Sequence, residues 1–233
     1  MSIGMLSYSA KTLDDFLIWL YQINAVKIDT EKGFTLKLHE SDPAAPLSLL
    51  YFNLRIAENK GGPLTFAEVQ RIAQLFHAYL AGNNIGYDGI CPVPHAGTPF
   101  AGELQEIVYE QEMRTVPLLT LEKKEGSDGR HIGMLLKTQD LPRGCRVLLI
   151  DDLITRAGSK AEAVMSLRDA GYIVEDCIVF LDREQGGSQG MAALGVTLHS
   201  IASLSSVLEV YRHDNLITVA QYCQIRAYLK NTS

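Results

Sequence analysis

The 233-residue chain has no block of lysine or arginine, and its net charge is −6. Both facts argue against nucleic acid as the primary partner, because a phosphate backbone calls for a basic patch or stripe. No apolar run reaches the about 18 residues that a membrane span needs, so no membrane partner is expected. The opening Met1–Ser7 lacks a basic region followed by a long apolar segment, so no leader is expected. Cysteine is scarce: Cys91, Cys145, Cys177 and Cys223 are far apart, and three of them fall in or beside predicted strands. Such residues read as small buried apolar side chains rather than disulfides or zinc ligands, with the cytoplasm as the expected compartment. Repeats and low-complexity linkers are missing too. What remains is 47% hydrophobic and 21% charged, long enough for one generous domain, or a domain with an appendage, with a substantial core.

The most informative stretch is Arg146–Lys160. Val147–Ile150 is an unbroken apolar run, which suits a central parallel strand buried on both faces, and Asp151 and Asp152 are expected to end it. Thr155, Gly158 and Ser159 follow, then Ala161, Val164, Met165, Leu167 and Ala170 at helical spacing, with Gly171 as the stop. Strand, short loop and helix together aim backbone N–H groups and the helix dipole at one point, where a phosphate fits. The two carboxylates stand where sugar hydroxyls could donate to them. The plainer alternative is a solvated or capping aspartate pair.

These residues resemble the phosphoribosyl-pyrophosphate signature of the type I phosphoribosyltransferases, an apolar strand followed by Asp-Asp-x-x-Thr-x-Gly-x-Ser/Thr. Ala157 stands where that family usually has glycine. If the position demands a positive φ, its Cβ costs about 1 kcal/mol, and Arg156 beside it could compensate through charge.

Further segments resemble the orotate branch of the family. Phe34-Thr-Leu-Lys37 is similar to a Phe-x-Leu-Lys segment and Ser48-x-x-Tyr51-Phe52-Asn53-x-Arg55 to a Ser-Pro-x-Tyr/Phe-Phe-Asn/Asp segment. The resemblance implies Lys37 on the diphosphate donor and Tyr51 and Phe52 against a flat base; the alternative is a surface lysine and a pair of core aromatics. Tyr87–Ala101 reads as a strand entering a Pro/Gly loop that opens a helix. His95 in it contacts pyrophosphate or is simply solvated, and Ala96 departs from the family's Tyr-Lys pair. Glu122–Gly133, rich in glycine and charge, reads as a mobile loop. It resembles the family's catalytic loop, with Lys123 and Lys124 matching its opening and Ser127 replacing its later lysine. Leu181-Asp-Arg-Glu-Gln-Gly-Gly187 is the most diagnostic match. There Arg183 would pair with the orotate carboxylate, as a guanidinium fork suits, or else hold Asp182 or Glu184.

The remaining pattern is coarse. An amphipathic helix over Thr12–Ile23 is capped by Thr12, two short strands lie in 25–37 and 47–55, and Thr65-Phe-Ala-Glu68 is a capping box for a helix ending at Gly82. An edge strand and helix follow Gly195, and an amphipathic helix over 217–229 closes the chain. The expectation is an α/β protein of type I phosphoribosyltransferase fold. It comprises a hood segment (1–62) and a core (63–233) whose mainly parallel central sheet is flanked by helices. The resemblance implies an orotate phosphoribosyltransferase, acting as a homodimer with Mg²⁺. Lys123, Lys124, Asp151 and Asp152 would be catalytic. Lys37, His95 and Thr155, Arg156, Ala157, Gly158 and Ser159 would bind the donor. Tyr51, Phe52, Thr155 and Arg183 would bind orotate, and Asp151 would touch the metal only indirectly, the ion being held mainly by the donor. The competing expectation is a phosphoribosyltransferase-fold protein with weakened catalysis and a ligand-binding or regulatory role.

Overall fold

The computed structural model describes residues 10–36, 39, 43–58, 61–126, 129–137 and 141–232. The chain divides into two compact units, Phe66–Ser203 and Ser9–Thr65 with Leu204–Ser233. The C-terminal segment therefore groups with the N-terminal one, whereas the sequence suggested a boundary near residue 62 and a C-terminus within the core. Burial explains the grouping: Tyr211, fully buried, donates from its hydroxyl to the Leu17 carbonyl at 3.0 Å and meets Tyr21 edge-on at 5.2 Å.

In this smaller unit, α1 (Ala10–Gln22) places Leu13, Phe16, Leu17 and Leu20 in the interior, as their three-and-four spacing requires. Thr12 lies inside the helix and is not its cap. Strands β1 (Val26–Ile28) and β2 (Leu50–Phe52) pair antiparallel, Lys27 opposite Tyr51, and a Phe34–Ser48 bridge extends the pair.

In the larger unit the elements follow one another as α2 (Phe66–Gly82), β3 (Gly89–Pro92), α3 (Thr98–Glu112), β4 (Thr120–Gly126), β5 (Gly129–Lys137), β6 (Val147–Ile154), α4 (Gly158–Asp169), β7 (Asp176–Asp182), α5 (Gly187–Ala193) and β8 (Thr197–Ser203). The smaller unit's α6 (Leu204–His213) and α7 (Val219–Thr232) complete the order. A four-stranded parallel sheet runs β3-β6-β7-β8, with Leu118 bridging to the free edge of β3. Alternate residues of a strand face opposite sides, and here both sides are covered. Val147, Leu149, Cys177 and Val179 share an apolar cluster with Val164 and Leu167 of α4, while Leu148, Ile150, Ile178 and Phe180 are also buried. At about 1.5–3 kcal/mol per fully buried large apolar side chain, these residues anchor the sheet whose ends carry the site. Cys91 and Cys177 are buried within it and Cys145 half-buried, while Cys223 is exposed on α7; all four are free thiols. No described helix is long and apolar enough to cross a membrane.

Candidate functional site

The sheet positions three segments at the C-terminal ends of β3, β6 and β7, where ligand crevices of open α/β sheets lie. The central one differs from expectation in its extent. The aspartates do not terminate β6: pairing continues through Asp151↔Val179, Leu153↔Leu181 and Ile154↔Asp182, because β7 supplies ladder partners as far as Asp182. Asp151 is almost fully buried. One of its oxygens, Oδ2, accepts from Lys160 Nζ at 2.5 Å, and the other, Oδ1, from the Asp152 N–H at 2.9 Å. Lys160 Nζ also donates to the Leu153 carbonyl at 2.8 Å. Asp152 is half-buried, and its Oδ1 accepts the Leu153 N–H at 2.7 Å. Burial above all, then the charge of Asp151, pushes the Asp152 carboxyl up to about 7 against the opposing pull of Lys160 and the Leu153 N–H. Burial, the largest single influence, pushes the Lys160 ammonium down, but the charge and hydrogen bond of Asp151 together with Cys177 and Asp152 outweigh it, and the net displacement is upward.

Lys160 did not stand out in the sequence as a site residue. The signal was present: Lys160, Ala163, Val164 and Leu167 form the buried stripe of α4, so a lysine occupies an apolar position of the helical repeat. Such a lysine needs a buried counter-charge, and Asp151 provides it. Met165, placed on the apolar face by spacing, is instead 60% exposed.

The turn Thr155–Ala157 leads directly into α4, whose first residues, Gly158 and Ser159, are exposed, as is Arg156; Thr155 is half-buried. Ala157 has φ −71° and ψ −13°, so no positive φ is demanded there and its Cβ carries no backbone strain. Its side chain fits because α5 offers a glycine opposite: a Cβ on Gly190 would come within 2.6 Å of Ala157 Cβ.

The β3–α3 loop wraps the end of β6. Val93 N–H donates to the Ile150 carbonyl at 2.8 Å, and a Cβ on Gly97 would stand 2.3 Å from that same oxygen. His95 is exposed in this loop, with φ +73°. At the end of β7, Arg183 is 2% exposed. Its backbone N–H donates to the Ile154 carbonyl at 2.9 Å and its Nε to Gln185 Oε1 at 3.1 Å. The structure thus gathers Asp151, Asp152, Thr155–Ser159, the His95 loop and Arg183 along one edge of one unit. Tyr51 and Phe52 lie on β2 of the other unit, Phe52 buried and Tyr51 half-buried with its ring 5.8 Å from that of Phe34. Lys37 and Ser127 fall outside the described residues.

The segment around Lys123 and Lys124, expected as a loop, is an antiparallel hairpin: β4 and β5 pair Lys123↔Ile132 and Lys124↔His131. Leu121 and Ile132 are buried in the cluster that includes α4, and that apolar root makes the charged stretch continue as strand.

Among the described residues, no group of three or more His, Cys, Asp or Glu side chains converges on a common point. Two adjacent carboxylates, one of them engaged by Lys160, suit an ion that keeps most of its waters and is held chiefly by a substrate's phosphates, as Mg²⁺ commonly is.

A parallel sheet whose central strand carries paired aspartates and passes through a short turn into a helix resembles the fold of the type I phosphoribosyltransferases, with Ala157 the departure in the turn. No protein-family model matches the chain. In sequence the chain is similar to orotate phosphoribosyltransferases and uridine 5'-monophosphate synthases. It is 26% identical over 215 residues to an orotate phosphoribosyltransferase of Caenorhabditis elegans, which spans 92% of this chain and 85% of that protein. It is 25% identical over 221 residues to the uridine 5'-monophosphate synthase of Bos taurus, 95% of this chain but 41% of the synthase. The solved structure of Leishmania donovani UMP synthase aligns with a TM-score of 0.70 at 25% identity, covering 96% of this chain and 43% of that one. The chain therefore spans less than half the length of these synthases.

Proposed function

We propose that the protein transfers the 5-phosphoribosyl group of phosphoribosyl pyrophosphate to orotate, giving orotidine 5'-monophosphate and pyrophosphate. The observation that carries this reading is the exposed helix N-terminus after Thr155–Ala157 beside the carboxylates of β6, a cradle for a phosphorylated pentose. In the reaction the bond from C1 of the ribose to the pyrophosphate oxygen breaks, pyrophosphate leaves with the electron pair, and the orotate ring nitrogen bonds to C1 as its N–H bond breaks, the proton passing to pyrophosphate or solvent. Charge develops on both fragments, so positioning and cations around pyrophosphate supply most of the acceleration. Lys37, Lys123 and Lys124 are the candidate cations, and His95 is a candidate neighbour of pyrophosphate. Thr155–Ser159 hold the 5'-phosphate, the aspartate pair faces the ribose hydroxyls, and Arg183 receives the carboxylate of the base; Tyr51 and Phe52 are separate candidates for contact with its ring. Mg²⁺, held mainly by the donor, would neutralise part of the pyrophosphate charge. The protein would act as a cytoplasmic homodimer.

One observation favours a second reading, a ligand-binding protein with weakened turnover: both oxygens of Asp151 are already engaged within the protein. The decisive assay follows orotate absorbance with phosphoribosyl pyrophosphate and Mg²⁺, in the wild type and in Arg183→Ala. Turnover of orotate supports the first reading, with the variant raising orotate KM by about 30-fold or more while donor KM is spared. Donor binding without turnover supports the second. Equal loss for both substrates in Arg183→Ala removes that residue from substrate choice.

A further inference from the structure

We propose that Glu162 is a positioning residue that pins the root of the β4–β5 hairpin to the helix of the phosphate turn, and thereby sets where Lys123 and Lys124 stand. Glu162 lies on α4, one turn beyond Gly158, and its Oε2 accepts the backbone N–H of Ile132 at 2.7 Å. Ile132 is the residue directly opposite Lys123 in the hairpin, and His131, the next along, is opposite Lys124. The ladder is irregular at this point. Leu121 pairs with Leu135 and Lys123 with Ile132, so β5 advances three residues where β4 advances two. Such an interruption weakens the ladder locally and turns the strand, and there a side chain from outside the hairpin takes a backbone N–H.

A hydrogen bond to a carboxylate is roughly twice as strong as one between neutral groups. Its geometry also fixes the orientation of the peptide it holds. The apolar contacts at the same root, Leu121 and Ile132 in one cluster with Val164 and Leu167, resist separation but allow sliding, because apolar packing is not directional. The carboxylate supplies the missing direction. Because α4 begins at the phosphate turn, one rigid helix carries both the turn and the pin. A displacement of about 1 Å at a positioning group lowers a rate by about 10²-fold, so a root free to slide carries a kinetic cost.

The inference rests on the proposed transfer reaction for its kinetic consequence but not for its structural one, and the test separates them. Kinetic constants for both substrates and hydrogen exchange of the backbone are measured for the wild type, Glu162→Gln and Glu162→Ala. In Glu162→Ala, exchange over 129–137 accelerates at least tenfold while that over 158–169 stays at the wild-type level. The same variant loses about 10- to 100-fold in kcat with donor KM within threefold. Glu162→Gln, which keeps an acceptor oxygen, restores both to within about threefold. Wild-type kcat in Glu162→Ala overturns the proposal, as does equal loosening of the helix and the hairpin, or a glutamine variant no better than alanine. If the wild-type chain does not turn over orotate, the reaction falls, and the exchange comparison by itself decides whether the pin exists.

Discussion

Lys160 and Asp151 form an ion pair with almost no access to solvent: Nζ and Oδ2 are 2.5 Å apart and the side chains are 4% and 5% exposed. The pair joins the first turn of α4 to the strand that carries the carboxylates, so the turn Thr155–Ala157 is closed at its base by a charge contact as well as by the chain itself. Removing one partner leaves the other charged and buried, which costs about 3–5 kcal/mol, whereas removing both is often close to neutral. Lys160→Met is expected to destabilise the protein by that amount in urea unfolding, and Asp151→Asn/Lys160→Met to recover most of it. Equal instability of the single and double variants would show that the pair is not the reason for either residue.

The pH dependence of stability follows from Asp152. Its carboxyl is raised from 3.8 to about 7 in the folded state, so between those values the folded protein binds a proton that the unfolded chain releases. Stability on this account falls as pH rises from about 4 through 7 and levels off above it. Thermal unfolding from pH 5 to pH 8 should show the decline in the wild type and a flatter profile in Asp152→Asn. An unchanged profile in the variant would assign the decline to another group.

Ala157 and Gly190 are matched across the contact of the turn after β6 with α5. A methyl group on Gly190 would approach Ala157 Cβ to 2.6 Å, and overpacking of this kind typically costs about 1–3 kcal/mol. Gly190→Ala is expected to lower stability by that amount, and Ala157→Gly in the same molecule to restore much of it. Additive losses in the double variant would mean that the two positions do not meet.

Much of this architecture is legible in the sequence because its signals are local. The Val147–Ile150 run, the Thr65–Glu68 box before α2 and the Pro/Gly loop before α3 each announce an element through its own residues. The Asp-Asp-x-x-Thr pattern announces the turn. The chain's departures are the interactions made at a distance. Asp151 and Asp152 remain in β6 because β7 continues beside them, which no inspection of 146–160 reveals. The hairpin around Lys123 is held by burial of Leu121 and Ile132 against α4, while its composition, charged and glycine-rich, reads as a loop. The Ala157 substitution reads as a strained position until its φ of −71° is seen, and its side chain has room because Gly190, 33 residues further on, stands opposite. Lys160 was legible in principle, as a lysine on an apolar stripe, but its partner could be named only once helix and strand were placed together.

The account stands or falls on the turn after β6 as a cradle for a sugar phosphate, and isothermal titration of phosphoribosyl pyrophosphate with magnesium tests that most directly. The wild-type protein should bind saturably with one donor per chain, and Ser159→Asp, which puts a carboxylate at the helix N-terminus where the phosphate is expected, should weaken binding at least tenfold. No heat from the wild type at saturating donor, or equal affinity in Ser159→Asp, would contradict it.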